Sequence, residues 1–386
     1  MPKRTFVFIF CLLTVVMLSE FVHASKTIGY YRKVYDKEYR NNHKEYNSMA
    51  SSGDGRVYYF FSYILDGTIC MYEATKDTKY LERALIWAEK MVSQATIIDK
   101  NGNRNWSGEW NSPYSDVPIS YQLYDVQGST GIAWLARIIL NEPALKNRYG
   151  SRAEGLYDFV HNEIVKKWFY KRNSLSWHYM MANNKQWPYS DKIAMMLRIL
   201  NNVHLISGNA DYKKILSDLS HSLKHRFESY KDALIWDLEV RFPEKYGGNT
   251  MDTSHGNRYP YTVLDLYKAG IVFTHDDVKG LSRLLTKVVW NQSYSDPRFT
   301  NFIDGTNGQF KTDNEERPPW GVGQICSGWI GLGEYDMKVQ EIGHAVLVAM
   351  VAGKKNPSLE YMNNMHGKVE LAGHLAKNLM ARKVFP

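Results

Sequence analysis

The sequence predicts an all-α protein built from helical hairpins. Three observations carry this. Apolar residues recur at helical spacing over most of the chain, strand-like alternation is scarce, and the stretches between periodic segments differ greatly in length. The first amphipathic stretch falls near 56–75. Ala84, Trp87, Ala88, Met91 and Val92 mark the apolar face of the next. Others fall near 121–142, 151–170, 188–207, 211–229, 255–270, 276–290, 336–354 and 358–382. Two starts look alike: Thr75 to Tyr80 and Ser207 to Tyr212 each set a polar turn before a Tyr that opens a helix, as a repeated hairpin would. In the 121–142 stretch, Gly128, Ser129 and Gly131 suit close helix packing.

Residues 1–24 read as a secretory signal peptide. Lys3 and Arg4 form the charged start, Phe6 to Met17 the short apolar run, and Val22-His23-Ala24 the cleavage site. No later run has the length and apolarity of a transmembrane helix; Ala345 to Ala352 is apolar but short. The rest, 25–386, shows no interdomain linker and reads as one exported domain, secreted or periplasmic. The formal net charge is +8, a mild basic excess that favours acidic partners. No run of basic residues marks a nucleic-acid tail. Cys70 and Cys326 remain after Cys11 leaves with the signal, and either pairing or burial as free thiols suits them.

The loops are long and aromatic. Residues 97–120 hold Trp106 and Trp110, and 171–189 hold Trp177, Asn183, Asn184, Trp187 and Tyr189. Residues 236–254 and 291–328 are rich in Gly, Asn, Trp and Asp. Long structured loops in a compact domain usually serve function, and aromatic faces stack on sugar rings. Trp106, Trp110, Trp177, Trp187 and Trp320 are therefore candidates for sugar stacking, with Arg317 as a cation at the cleft rim beside Trp320. Tyr124, Asp125 and Gln127, at the start of the 121–142 helix, are candidates to line a sugar subsite.

The densest chemistry lies in Met251 to Tyr261, at the apparent start of a helix. Ser254 is a candidate N-cap and Pro260 fits an early turn. His255, Arg258 and Tyr259 stand at i, i+3 and i+4 and so share one face, with Asn257 between them. A base, a cation and a phenol together suit proton abstraction beside a carboxylate. Cleaving a polyuronate by β-elimination needs the sugar carboxylate neutralised, a base for the adjacent proton and an acid for the leaving oxygen. Asn183 and Asn184 are candidate neutralisers, and Tyr189 is a second candidate acid. No metal or cofactor is obligatory. Each residue also has a plain structural role open to it: turn, cap or core.

Glycoside hydrolysis instead needs two facing carboxyl groups. Asp125, Glu239, Asp252 and Asp304 lie near aromatic loops without a distinctive spacing. Asp252 suits a helix start and Asp304-Gly305 a turn. His221 and His225 stand at i, i+4 but lack a third metal ligand nearby in sequence. A hydrolase on the same scaffold and a non-catalytic binder of polyanionic glycans are the two other functional classes.

With its signal peptide, helical hairpins, aromatic loops and the run Asp252-Thr253-Ser254-His255-Gly256-Asn257, the chain resembles secreted polysaccharide lyases with an (α/α) toroid, an incomplete barrel of helical hairpins. It is most similar to alginate and glucuronan lyases of that architecture. Tyr121 to Leu140 and Asp304 to Asp336 add to the likeness. The resemblance implies about five to seven hairpins, an acidic polysaccharide as partner, a catalytic His at His255, a neutralising Asn or acid, and an assisting Arg. The catalytic Tyr it implies is one of Tyr259, Tyr189, Tyr294 and Tyr335.

Overall fold

Thr27, Asp54, Asp77, Asn209, Thr274 and Asp336 each accept a hydrogen bond from a backbone N–H of the helix that follows. These caps fix where the helices begin. The computed structural model describes residues 27–99, 102–107, 109–110, 119–120, 122–171, 174–175, 190–236, 250–307, 318–321, 323–325, 328–364 and 366–384. The helices are α1 (Ile28–Ala50), α2 (Gly55–Thr75), α3 (Thr78–Ser93), α4 (Gln122–Asn141), α5 (Pro143–Phe159), α6 (Ser190–Ser207) and α7 (Ala210–Lys224). After these come α8 (Thr253–Gly256), α9 (Arg258–Lys268), α10 (His275–Arg283), α11 (Gly328–Gly331), α12 (Met337–Val351), α13 (Pro357–Asn364) and α14 (Gly367–Val384). Both α5 and α10 run on into π-helical turns, Val160–Val165 and Leu284–Val289, the first followed by one more α-helical turn, Lys166–Phe169. The described strands form two-stranded antiparallel hairpins in the connections.

The packing closes a ring. Helix α2 packs on α4, α4 on α6, α6 on α9, α9 on α11, α11 on α14, and α14 returns to α2. These inner helices run parallel. Tyr59 and Ser62 meet Gln127, Arg198 meets Asp265, and Cys70 meets His374, so early residues face early residues and late face late. Helices α1, α3, α5, α7, α10 and α12 alternate with them in sequence and pack outside. The described helices form an (α/α) toroid of six hairpins. Inner helices are buried on nearly all sides, which explains the near-continuous burial along α2 and α4.

Ring closure needs close backbone approach. A Cβ on Gly67 would lie 2.7 Å from the Cα of Glu370, and one on Gly131 would lie 2.8 Å from Leu65 Cδ2. A Cβ on Gly328 would overlap the Asn257 carbonyl, which seats the short α11 against α9. The axis is filled by a buried ionic group. Arg198 donates to Asp265 at 2.8 Å and Asp66 at 3.2 Å, and its guanidinium lies 3.3 Å from the Tyr261 ring centroid.

The two similar helix starts are the same structural device. Lys76 (φ 56°) and Gly208 (φ 66°) end inner helices in the left-handed conformation. Asp77 and Asn209 then cap the outer helices, and Tyr80 and Tyr212 are buried beneath. Three expectations are corrected. Helix α1 went unforeseen because its buried side is mostly tyrosine, Tyr31, Tyr35 and Tyr46, in an otherwise polar stretch. The single helix expected over 358–382 is two, α13 and α14. The helix expected over 151–170 begins earlier, with Pro143 in its first turn. Cys70 is buried and reduced, its Sγ 3.5 Å from His374 Nδ1; Cys326 and residues 1–24 lie outside the described residues.

Candidate active site

Because the inner helices are parallel, all their N-termini gather at one mouth of the toroid. That end collects unpaired backbone N–H groups and positive helix-dipole ends. The turn α8 sits there. Asp252, not Ser254, is its N-cap: Asp252 Oδ1 accepts from the His255 backbone N–H at 2.9 Å. Ser254 is engaged otherwise, its Oγ accepting from Gln324 Nε2 at 3.1 Å and its carbonyl from Asn257 Nδ2 at 2.7 Å. The second carboxylate oxygen, Asp252 Oδ2, lies 2.7 Å from His255 Nδ1. A carboxylate only accepts, so Nδ1 carries the proton and Nε2 is the basic nitrogen. The His255 side chain is 37% exposed, while Asp252 is 1% exposed. Burial alone would raise the Asp252 carboxyl, but the His255 charge and two hydrogen bonds hold it below its ordinary value.

His255, Arg258 and Tyr259 do not present a shared surface. Arg258 is fully buried and points into the ring. It pairs with Asp191, donates from Nε to Gln127 Oε1 at 2.8 Å, and donates from Nη2 to the Tyr59 hydroxyl at 2.5 Å. Burial lowers its affinity for a proton, but the Tyr59 phenol oxygen and the Asp191 carboxylate outweigh this and keep it cationic. Arg258 thus ties together the first two turns of α2 and α4 and the starts of α6 and α9, and its guanidinium is spent on protein groups. Tyr259 is fully buried, stacked on Trp236 at 4.4 Å between centroids. Trp236 stacks in turn on Trp329, whose Nε1 donates to the Thr253 carbonyl at 2.9 Å. This aromatic stack carries the α8 turn from below.

The other candidates divide in the same way. Asn257 and Gln127 are buried and hydrogen-bonded within the protein. Trp106 fills the space above Gly128, with Nε1 donating to the Met91 carbonyl at 2.7 Å, so it is core and presents no stacking face. Tyr124 is half-buried at the mouth, its ring 6.1 Å from that of Tyr59. Trp320 is half-buried in a loop tied by Asn301 Nδ2 to the Pro318 carbonyl, and Asn301 accepts from the Thr253 N–H, which places Trp320 at the same rim. Asn183, Asn184, Tyr189, Trp177, Trp187, Arg317 and Glu239 lie outside the described residues, as does the Trp110 side chain. Tyr335 follows α11 at the opposite end of the ring, packed on Tyr267 near the end of α9. Tyr294 is exposed beside Glu341 of the outer helix α12.

Two of the carboxylates proposed for hydrolysis, Asp125 and Asp304, are engaged elsewhere. Asp125 Oδ2 accepts from Lys167 Nζ at 2.6 Å and from Trp168 Nε1 at 3.1 Å in a buried group. Asp304 caps its turn through Thr306.

Sequence reasoning missed three residues at this mouth. Tyr59 is half-buried and accepts from Arg258; in the run Tyr58-Tyr59-Phe60-Phe61 nothing marks one phenol as facing the axis. Asp191, at the start of α6, pairs with Arg258 across the ring, a contact no sequence spacing announces. Lys192 is buried beside it; burial pushes its amine down to about 8, with Asp191 opposing and Arg258 assisting.

No family model and no curated protein matches the chain. Solved structures are similar at low identity. An inactive variant of an α-1,6-mannanase of Salegentibacter sp. HEL1_6, in complex with an α-1,6-linked mannotetraose, is 16% identical with a TM-score of 0.43, over 84% of this chain and 89% of that one. A polysaccharide lyase is 13% identical with a TM-score of 0.43, over 89% of this chain and 82% of that one. A glycosyl hydrolase of family 88 from Bacteroides vulgatus is 11% identical with a TM-score of 0.42, over 89% and 84%. The substrates and activities in those names belong to those proteins, and the toroid here stands on its own helix contacts.

Proposed function

We propose that this protein is an exported carbohydrate-active enzyme that cleaves an acidic, uronate-containing polysaccharide such as alginate or glucuronan by β-elimination. The observation that carries this reading is the His255–Asp252 pair. It offers an exposed imidazole, oriented by a buried carboxylate, at the N-terminal mouth of the toroid. His255 Nε2 removes the proton next to the uronate carboxyl group, and Asp252 stabilises the imidazolium that forms. The electron pair left on that carbon forms the new double bond as the glycosidic C–O bond breaks.

The leaving oxygen takes its proton from Tyr59. Its phenol oxygen already accepts from Arg258, so the hydroxyl hydrogen is available and the resulting phenolate is stabilised by a buried cation. Arg258 is a positioning residue in this scheme. Carboxylate neutralisation falls to Asn183 or Asn184, and sugar stacking to Tyr124 and Trp320 with Trp110, Trp177 and Trp187.

The test is ultraviolet absorbance during incubation with alginate blocks, glucuronan, hyaluronan, chondroitin and pectate. A rise on one polymer, lost in His255→Ala, is expected, because elimination conjugates a double bond to the carboxylate. New reducing ends without absorbance would make the protein a hydrolase. Retention on polyuronate resin without turnover of any polymer would make it a binding protein.

A further inference from the structure

A second opening lies at the other end of the ring, where the inner helices finish. It is a cavity of about 1040 Å³ between the ends of α2, α9 and α14, at the upper limit for small-molecule pockets. Helix α9 separates the two mouths. It runs from Arg258 to Lys268, so they are about 15 Å apart at 1.5 Å per residue.

The charges of the wall alternate. Glu334 is nearly buried and both its oxygens are taken, one by Lys268 and one by Lys377 at 2.8 Å. Lys377 also lies 3.7 Å from Glu73 Oε2, which is closed off from the cavity, while the Glu73 side chain as a whole is 24% exposed and lines the wall. Lys76 adds a third ammonium at the rim. Three cations and two carboxylates leave little net charge. A polyanion would meet Glu73 and Glu334, and a polycation would meet the lysines.

One side of the cavity is aromatic. Tyr335 packs edge-on to Tyr267 at 5.6 Å between centroids, and His275 lies 6.1 Å from Tyr335. Tyr335 is 37% exposed, so its ring is available as a platform. A ligand that suits these walls both donates and accepts hydrogen bonds at several points and has an apolar ring face. Sugar hydroxyls do the first, and the C–H face of a pyranose does the second.

We infer that this cavity is a second carbohydrate site, separate from the cleavage mouth, that takes a neutral sugar ring stacked on Tyr335 with a hydroxyl donated to Glu73. The site stands whether or not the proposed elimination occurs at the other mouth.

The experiment is saturation-transfer NMR on the full exported chain carrying His255→Ala, with the methyl pyranosides of glucose, mannose and glucuronic acid as probes at millimolar concentration. A neutral pyranoside should show saturation transfer. Tyr335→Ala should weaken its binding about 3- to 10-fold, the worth of one ring contact. Tyr335→Phe should keep it, which separates loss of the ring from loss of the fold. Glu73→Gln should weaken it while Tyr59→Phe at the other mouth leaves it unchanged. Absence of transfer from every neutral probe, transfer from the glucuronoside alone, or transfer indifferent to Tyr335→Ala would each overturn the inference. None of these outcomes depends on whether a polymer is cleaved.

Discussion

Replacing Asp252 by Asn tests the proposed base without disturbing the fold. Asn caps helices as well as Asp, so stability should change by less than about 1 kcal/mol. The chemistry should change far more. The cap requires an acceptor facing the His255 backbone N–H, now 2.9 Å from Oδ1. If the amide oxygen keeps that place, the NH₂ group lies where Oδ2 was, 2.7 Å from Nδ1. Nδ1 must then accept, and the proton moves to Nε2, which can no longer act as a base. The opposite amide orientation restores the basic tautomer but sets two donors against each other at the cap. That mismatch costs about 1–3 kcal/mol. Loss of the charged partner of the imidazolium removes about another 1.5–3 kcal/mol. Together these give roughly a 10²- to 10⁴-fold fall in kcat at about 1.4 kcal/mol per decade. The assay is the absorbance rate on the active polymer, paired with thermal unfolding. Long-range ¹⁵N–¹H correlation of the imidazole reports the tautomer independently of substrate. A variant within about threefold of wild-type turnover, or an imidazole that keeps its proton on Nδ1, would refute the reasoning.

Other perturbations separate the remaining roles. Tyr59→Phe should lower kcat by about 10²- to 10⁴-fold, the usual worth of a general acid, with a far smaller effect on KM; unchanged kcat would remove Tyr59 from the mechanism. Arg258→Met should destabilise the protein by about 3–5 kcal/mol in urea titration, because it strands Asp191 as an unpaired buried charge. A small loss would show that the pairing across the ring does not hold the mouth together. Burial alone would raise the Glu334 carboxyl, but Lys377 and Lys268 hold it down at about 2 against an ordinary 4.5. Its contribution is therefore full above about pH 4.5 and fades as pH falls toward 2, roughly 3 kcal/mol in all. Glu334→Gln should cost close to that at pH ~6 and much less at pH ~3 by urea unfolding.

The sequence by itself determined the helical class and most helix positions, and it singled out the stretch that holds the proposed base. These are local properties. Apolar spacing names a helix wherever one face is buried, and Asp77 and Asn209 announce their helix starts because caps act over a few residues. Helix α1 escaped because buried tyrosines blur the contrast on which periodicity depends. His255 was singled out with Arg258 and Tyr259 on helical spacing, whereas Asp252 as the group that caps its turn and holds its ring appeared only in the structure. The roles of Arg258 and Tyr259 were not legible. Both have the residue types and spacing of a catalytic face, yet one is consumed by Asp191, Gln127 and Tyr59, and the other by Trp236. Tyr59 became a candidate only when ring closure brought α2 within hydrogen-bond reach of a residue 199 positions away. Which polar side chain at a helix start faces a cleft, and which is spent on a neighbouring helix, is decided by contacts between helices. In a parallel inner ring those contacts join residues far apart in sequence, so only the tertiary structure could place them.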